Sequence, residues 1–280
     1  MKFQLSAFAD ESSDLFSGQV DALKRNGLQY LEIRNVAGRN ITAHTLAEAR
    51  ELAKILADNG LALWSLGSPI GKIGIEEDFA PHLELYRHAL ELTREFGARN
   101  IRLFSFFMPK DRDPEDFTSQ VIDRMGAFVE LAKEYGIRPC HENEKGIYGD
   151  IAPRCLKLHQ AVPGLDGVFD PANFVQCGQD TLAAWELLHP YIHYMHIKDA
   201  LPGGSVVPPG QGDGHVPELI RKFHAQGGRV LSLEPHLYDF VGLKSLEQEG
   251  DTSVVGALSF ATAEAAFDHA AKTLKNILEG

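Results

Sequence analysis

The sequence has few cysteines and no long hydrophobic run. Its 280 residues include only Cys140, Cys155 and Cys177, which form no CxxC pair, and reduced thiols in a cytoplasmic protein fit this usage. No apolar stretch approaches the ~20 residues that a membrane-spanning helix needs. The first residues, MKFQLSAFADESSD, reach acidic side chains by position 10, too soon for a signal peptide. We therefore expect a cytoplasmic protein without a membrane partner.

Positive charge is also scarce. Lysine and arginine number 27 against 39 aspartates and glutamates, which gives a formal net charge of -12. A protein that binds nucleic acid normally carries a basic surface, so no nucleic-acid partner is expected. The same balance gives no general attraction to anionic membranes. A hydrophobic content of 44% is ordinary for a globular chain with a large core.

A glycine-rich phosphate-binding turn is missing after the first predicted strand. Open sheets that bind dinucleotides usually carry one there, but this chain reads AFADESSD. Short β-rich segments alternate with helical patterns along the whole sequence, which predicts βαβ units and a parallel sheet. Eight such units fit one TIM barrel, (β/α)₈, over residues 1–280, with a doubly wound open sheet as the alternative.

The predicted elements follow from hydrophobic periodicity and from glycine and proline positions. The strands cover residues 3–9, 28–34, 61–67, 100–107, 137–142, 165–170, 192–198 and 229–235. Helices follow at about 14–26, within 42–60, and at about 78–96, 113–135, 150–161, 180–188, 215–226 and 259–278. Two long loops, 199–214 and 238–257, come after the last two strands, and long loops at this end of a barrel are usually functional or disordered.

Four consecutive predicted strands end in side chains that bind metal ions. Strand 5 ends at Glu142, strand 6 at Asp170, strand 7 near His196 and strand 8 at Glu234. Barrel active sites lie at the C-terminal strand ends, so these residues are expected on one rim, where the carboxylates would repel one another without a cation. The donor set predicts a site for Mn²⁺, Mg²⁺ or Co²⁺, with Zn²⁺ as an alternative. Four unrelated polar strand ends are the competing interpretation.

Several motifs carry a family resemblance. HENEKGIYGD, FDPANF, MHIKDA, GQGDG and SLEPHL resemble the xylose isomerase-like barrels, in particular the sugar isomerase and epimerase group. The resemblance covers nearly the whole chain and implies that Glu142, Asp170, His196 and Glu234 are metal ligands. It also implies that Glu142 and Glu234 are the catalytic acid/base pair, that the substrate is a sugar, and that a homo-oligomer forms. Asn173 departs from the pattern, because many relatives have a histidine there that touches substrate.

The chemistry expected of such a site is proton transfer next to a carbonyl. A divalent metal, with Mn²⁺ preferred, stabilises the cis-enediolate that forms when a carboxylate removes the proton. Return of the proton to the opposite face or to the neighbouring carbon gives a ketose 3-epimerase or a sugar isomerase, which is the expected function. Loss of a substituent would instead give a lyase or dehydratase that acts on keto-sugars or cleaves 3-keto-C-glycosides.

Other polar residues near the strand ends are predicted to bind substrate. They are Glu32, Arg34, Glu144, Asn173, Lys198 and His236. Their plainer interpretation is a set of surface ion pairs, loop caps and groups that orient the ligands. An apurinic endonuclease with this barrel is disfavoured, because strands 3 and 4 end without histidine. A sugar-binding module without catalysis is disfavoured because it needs no second carboxylate on the metal.

Overall fold

The computed structural model describes residues 1–240 and 259–280, and this part of the chain contains a closed barrel of eight parallel strands. The strands are β1 (Gln4–Ala7), β2 (Tyr30–Ile33), β3 (Ala62–Gly67), β4 (Asn100–Leu103), β5 (Arg138–Glu142), β6 (Asp166–Phe169), β7 (Ile192–Ile197) and β8 (Val230–Leu233). They pair in chain order, and β1 closes the barrel against β8. The predicted TIM barrel is confirmed and the open-sheet alternative was wrong.

Helices surround the barrel. They are α1 (Phe16–Arg25), α2 (Leu46–Asp58), α3 (Phe79–Glu95), α4 (Thr118–Tyr135), α5 (Ala152–Ala161), α6 (Pro171–Gln176), α7 (Thr181–Leu188), α8 (Val216–Ala225) and α9 (Ala263–Glu279). Local signals set their ends: α2 begins at a capping box of Thr45 and Glu48, and α4 ends at Gly136 with a left-handed φ of 66°. The short α6 was not predicted.

The ends of some predicted strands differ from the structure. β1 stops at Ala7 because a 3₁₀ turn, Ala9–Glu11, follows it. The strand predicted over 100–107 ends at Leu103, and the chain then leaves the sheet through Phe106, whose φ is 67°. Part of the loop 199–214 is a hairpin whose carboxylate Asp199 accepts four backbone N–H bonds. The other predicted loop, 238–257, lies outside the described residues from position 241 onward.

Two β-bulges shift the register of the barrel. One lies in the pairing of β2 with β3, where Trp64 is the extra residue on β3. The other lies in the pairing of β6 with β7, where His193 is the extra residue on β7. Their rings stack with centroids 5.5 Å apart. Bulges re-aim the side chains beside them. Here the residues that follow, Ser65 and Tyr194, are buried and hydrogen-bonded to each other.

Apolar side chains fill the layer between the strands and the helices, with aromatic contacts such as Tyr86 against Phe128. Polar side chains, in contrast, are fully buried on the strands themselves: Ser6, Glu32, Ser65, Tyr194 and Ser232. A buried polar group needs a hydrogen-bond partner to avoid a large desolvation cost, so this set indicates a polar site inside the barrel. Within the described ranges, no helix is long and apolar enough to cross a membrane.

Candidate metal centre and active site

Four side chains meet at the C-terminal end of the barrel. Glu142, Asp170, His196 and Glu234 each offer one ligand atom, and these atoms all lie within 4.8 Å of one another. All four residues are buried. Their convergence follows from the topology, because β5 to β8 are neighbours and each places its residue near its C-terminal end. The structure thus brings together the four ligands predicted from the sequence.

His196 turns one ring nitrogen to the cluster and the other into the barrel. Nδ1 lies 2.9 Å from Glu142 Oε1 and 3.5 Å from Glu234 Oε2, while Nε2 lies 3.2 Å from Glu32 Oε2. Burial alone would lower the His196 pKa, but Glu142 and Glu32 outweigh it and raise the pKa well above its ordinary value. The imidazole therefore holds a proton that a metal ion at Nδ1 would displace.

Asp170 is fixed by its neighbours, with one oxygen to spare. Oδ1 accepts the N–H of Asn173 at 2.9 Å, and the Asn143 side chain bonds both the N–H and the C=O of Asp170. Oδ2 is buried without a hydrogen bond, although Lys198 Nζ lies 3.0 Å away. Burial raises the pKa of Asp170 to about 7, against the opposing effect of Lys198. A buried carboxylate oxygen without a hydrogen bond is a suitable ligand atom for a metal ion.

Buried cations hold the remaining carboxylate oxygens. Arg102 Nε lies 3.2 Å from Glu142 Oε2, and Arg34 Nη1 lies 2.8 Å from Glu234 Oε1. Lys198 Nζ lies 3.2 Å from Glu234 Oε2. Sequence reasoning missed Arg102, and the signal was an arginine inside the apolar run NIRLFSFF. Each proposed acid/base carboxylate therefore has one oxygen toward the cluster and one beside a guanidinium.

The charge of the site favours a divalent cation. Seven carboxylates surround it, namely Asp10, Glu11, Glu32, Glu142, Glu144, Asp170 and Glu234, and their side chains are at most 15% exposed. Four cations accompany them: Arg34, Lys72, Arg102 and Lys198. With every carboxyl ionised, the seven carboxylates exceed these four cations by three negative charges, which is costly in a buried site; without a metal ion, the proton on His196 and the raised pKa of Glu11 reduce that excess. Three carboxylates and one imidazole fit a hard divalent ion, which would relieve most of that excess.

The turn after β1 supplies two acids that the sequence analysis did not single out. Asp10 forms a two-oxygen ion pair with Arg34, at 2.9 and 3.1 Å. Glu11 Oε2 accepts the N–H of His236, and the His236 ring Nε2 lies 3.4 Å from both Glu11 Oε1 and Glu234 Oε1. Burial raises the pKa of Glu11 to about 8, although Arg34 opposes it. His236 adopts a left-handed φ of 47°, a strained backbone that often marks functional sites.

The other predicted substrate-binding residues bond to protein groups. Glu144 pairs with Lys72 at 3.2 Å, and Asn173 Nδ2 donates to the Asn143 carbonyl at 2.8 Å. The Asn173 amide also lies 3.4 Å from Glu142 Oε1. Glu32 lies below His196 in the barrel interior and is fully buried. These contacts hold the proposed ligands and their loops in place, and contact with substrate stays a prediction.

The protein is therefore a closed parallel barrel with a buried group of four side chains that could hold a metal ion. The sequence matches the family of xylose isomerase-like TIM barrels over residues 20–276, and the chain belongs to that family. Among curated protein sequences none matches significantly.

Solved structures show the same fold at low identity. L-ribulose 3-epimerase has a TM-score of 0.78 at 17% identity, over 100% of this chain and 95% of that one. The IOLI protein with a bound zinc atom has a TM-score of 0.73 at 18% identity, over 99% and 98%. The probable 3-DHS dehydratase AsbF from Bacillus anthracis has a TM-score of 0.73 at 18% identity, over 99% of both chains. At these identities the likeness establishes the fold and leaves the reaction open.

Proposed function

We propose that this protein is a divalent-metal-dependent sugar isomerase or ketose 3-epimerase that transfers a proton through a cis-enediolate. The observation that supports this most is the arrangement of Glu142 and Glu234. Both flank Nδ1 of His196, at 2.9 and 3.5 Å, and each has its second oxygen beside a buried arginine. Two oriented carboxylates at one centre suit an acid/base pair that removes a proton and returns one.

The proposed metal ligands are Glu142, Asp170, His196 and Glu234. We propose Mn²⁺ for this oxygen-rich donor set, with Mg²⁺, Co²⁺ and Zn²⁺ as alternatives. When bound, such an ion supplies an electrophile that polarises a substrate carbonyl and acidifies the adjacent C–H bond.

The chain's own residues would carry the proton. Burial opposes ionisation of Glu234, but Lys198 and His236 outweigh it and hold its pKa well below the ordinary value. Glu234 is therefore ionised at neutral pH, as a base must be, and Glu142 is its proposed counterpart. Lys198 and His236 lie beside Glu234 and are proposed to bind substrate oxygens, together with Asn173.

One observation favours the lyase or dehydratase alternative. An elimination needs a proton for the leaving group as well as a base for the C–H bond. Burial, opposed by Arg34, raises the pKa of Glu11 to about 8, so this carboxyl is protonated near neutral pH, and it lies 3.4 Å from His236. A substrate with a leaving group near His236 would find a proton donor there.

The remaining partner assignments also stay proposals. A small sugar is the proposed substrate, without nucleic acid or membrane as a partner. A homo-oligomer and a cytoplasmic location are carried over from the sequence as predictions.

Deuterium exchange tests the proposal directly. The Mn²⁺-loaded protein is incubated in D₂O with free ketoses, phosphorylated ketoses and 3-keto-glycosides, and the sugars are examined by NMR after removal of the protein. We expect metal-dependent deuterium uptake next to the carbonyl that is lost in Glu142→Gln and Glu234→Gln. The exposed Glu186, which pairs with Lys222 at 3.0 Å, gives the matched control Glu186→Gln, which should keep full exchange. Absence of exchange on every sugar, with metal shown to be bound, would reject the proposed chemistry.

A further inference from the structure

Glu32 is a carboxylate deep inside the barrel rather than on its rim. It lies on β2 and is 0% exposed. Its Oε1 accepts a hydrogen bond from the Tyr194 hydroxyl at 2.7 Å, and its Oε2 lies 3.2 Å from His196 Nε2. Both partners belong to β7, across the barrel interior. A substrate bound at the rim would meet His196 before it met Glu32.

The charge of Glu32 has one direct basic partner. Among residues 1–240 and 259–280, His196 is the only basic side chain within 4.0 Å of its carboxylate. A buried carboxylate without a lysine or arginine partner is costly, and its cost must be offset by hydrogen bonds and by the charge that it stabilises. The free-energy cost of burying the Glu32 carboxylate therefore depends on whether His196 Nε2 carries a proton toward it.

The two β-bulges of the barrel place hydroxyl groups beside Glu32. The bulge at Trp64 precedes Ser65, and the bulge at His193 precedes Tyr194. Ser65 Oγ lies 3.3 Å from the Tyr194 hydroxyl, which in turn donates to Glu32. Both register shifts thus bring a hydroxyl to the level of Glu32, where a regular strand would have placed a different residue.

The plane of the His196 ring is also fixed. Phe8 meets it edge to face with centroids 5.2 Å apart, and Tyr194 meets it at 5.5 Å. With two rings packed against it and Nε2 beside Glu32, the His196 ring presents Nδ1 to Glu142 and Glu234.

We propose that Glu32 is a positioning residue for a metal ion at His196. It accepts the Nε2–H bond and so presents the lone pair of Nδ1 to the cluster of Glu142, Asp170 and Glu234. A carboxylate partner on the far nitrogen fixes the tautomer of a ligating histidine and makes it a stronger ligand. The inference rests on the proposed metal site, but it assigns Glu32 a role in metal affinity instead of substrate contact.

Metal affinity of the 280-residue chain is the first test, measured by equilibrium dialysis with Mn²⁺. Glu32→Gln keeps the size of the side chain and an acceptor oxygen, but loses the charge. We expect it to weaken Mn²⁺ binding by about 10- to 100-fold, as changes to such partners typically do. Tyr194→Phe removes one hydrogen bond to Glu32 while leaving the contact with His196, so a smaller loss is expected.

Asp10→Asn is the matched control. Asp10 is a buried carboxylate of the same region, but it bonds Arg34 and Asn35 and not His196. If Asp10→Asn weakened Mn²⁺ binding as much as Glu32→Gln, the effect would be general electrostatics and the proposed positioning role would be overturned. Equal affinity of Glu32→Gln and the wild type would overturn it as well.

A spectroscopic readout separates positioning from a general loss of structure. In the Zn²⁺-loaded protein with ¹⁵N-labelled histidine, the His196 Nε2–H signal should move in Glu32→Gln and stay in place in Asp10→Asn. Tyr194→Phe should move it less, which keeps the test valid if Glu32→Gln folds poorly. Failure of the wild type itself to bind any divalent ion would reject the proposed function, whereas an unmoved signal in both Glu32→Gln and Tyr194→Phe would reject this inference alone.

Discussion

The two ends of the barrel interior are built from opposite kinds of side chain. Toward the C-terminal strand ends, seven mostly buried carboxylates face four cations. Toward the N-terminal ends lies a cluster of Cys140, Val168, Tyr194 and Val230, packed against Trp64. Burial of apolar surface stabilises a fold, while burial of charge costs free energy unless every charge is paired. The apolar end therefore stabilises the fold, whereas the charged end, where the proposed active site lies, costs free energy of folding.

Neutralising one acid at each end should separate these roles most clearly. Glu142→Gln removes a proposed base and ligand, and we expect turnover of an accepted substrate to fall by at least ~10²–10⁴-fold. Asp166→Asn is the counterpart at the start of β6, where Asp166 is 38% exposed and pairs with Arg138 at 2.8 Å. Its turnover should match the wild type. Comparable losses in both variants would show that the activity is not located at the C-terminal end.

Replacing one arginine at each end compares the cost of a buried and an exposed ion pair. Arg34→Met leaves the carboxylates of Asp10, Glu11 and Glu234 without their guanidinium, and the free energy of unfolding should fall by about 3–5 kcal/mol. Arg138→Met breaks a pair in which Arg138 is 47% exposed, and about 1 kcal/mol or less is expected. Urea unfolding of both variants gives the comparison. Equal values would mean that the buried network contributes no more than a surface pair.

The sequence predicted that Glu142, Asp170, His196 and Glu234 meet at one rim, because their positions depend on local information. Each strand is a short apolar run, and a polar residue at its end is visible without knowledge of the fold. Parallel strands in a barrel then bring those ends to one rim. The proposed roles of acid and base came from the family resemblance, because spacing alone does not distinguish them.

The surroundings of the ligands depend on contacts that no local pattern encodes. The level of Glu32 in the barrel depends on two bulges, and a one-residue change of register moves a side chain to another face. Arg102 lies in an apolar strand, where Glu142 on the next strand, the Ser68 carbonyl and the Phe104 ring stabilise its guanidinium. Asp10 and Glu11 come from the 3₁₀ turn that ended β1 earlier than predicted.

Metal binding should depend on pH because protons and the cation compete for the same atoms. Burial raises the pKa of Asp170 to about 7, with Lys198 opposing, so below pH 7 this carboxyl is mostly protonated. A metal ion must then displace that proton as well as the proton on His196, so affinity should decrease as pH falls from 8 to 6, by up to about tenfold per pH unit for each proton displaced. Calorimetry in two buffers of different ionisation enthalpy counts the protons released. Affinity that does not change with pH would contradict the assignment of Asp170 as a ligand.

Acid sensitivity of the fold itself is expected from a buried histidine outside the site. His82 on α3 accepts the N–H of Gly71 at 2.7 Å, and burial lowers its pKa to about 4. The unfolded chain takes up this proton near pH 6.5, before the folded one does, so stability is complete above pH 6.5 and falls between 6.5 and 4. One such group contributes at most about 1.4 kcal/mol per pH unit. His82→Gln keeps an acceptor without the titration, and urea unfolding at pH 7 and pH 5 should show a smaller loss in this variant than in the wild type. An unchanged loss would show that His82 is not responsible and would assign the acid sensitivity to other groups, such as His141 and His159, whose pKa burial also lowers.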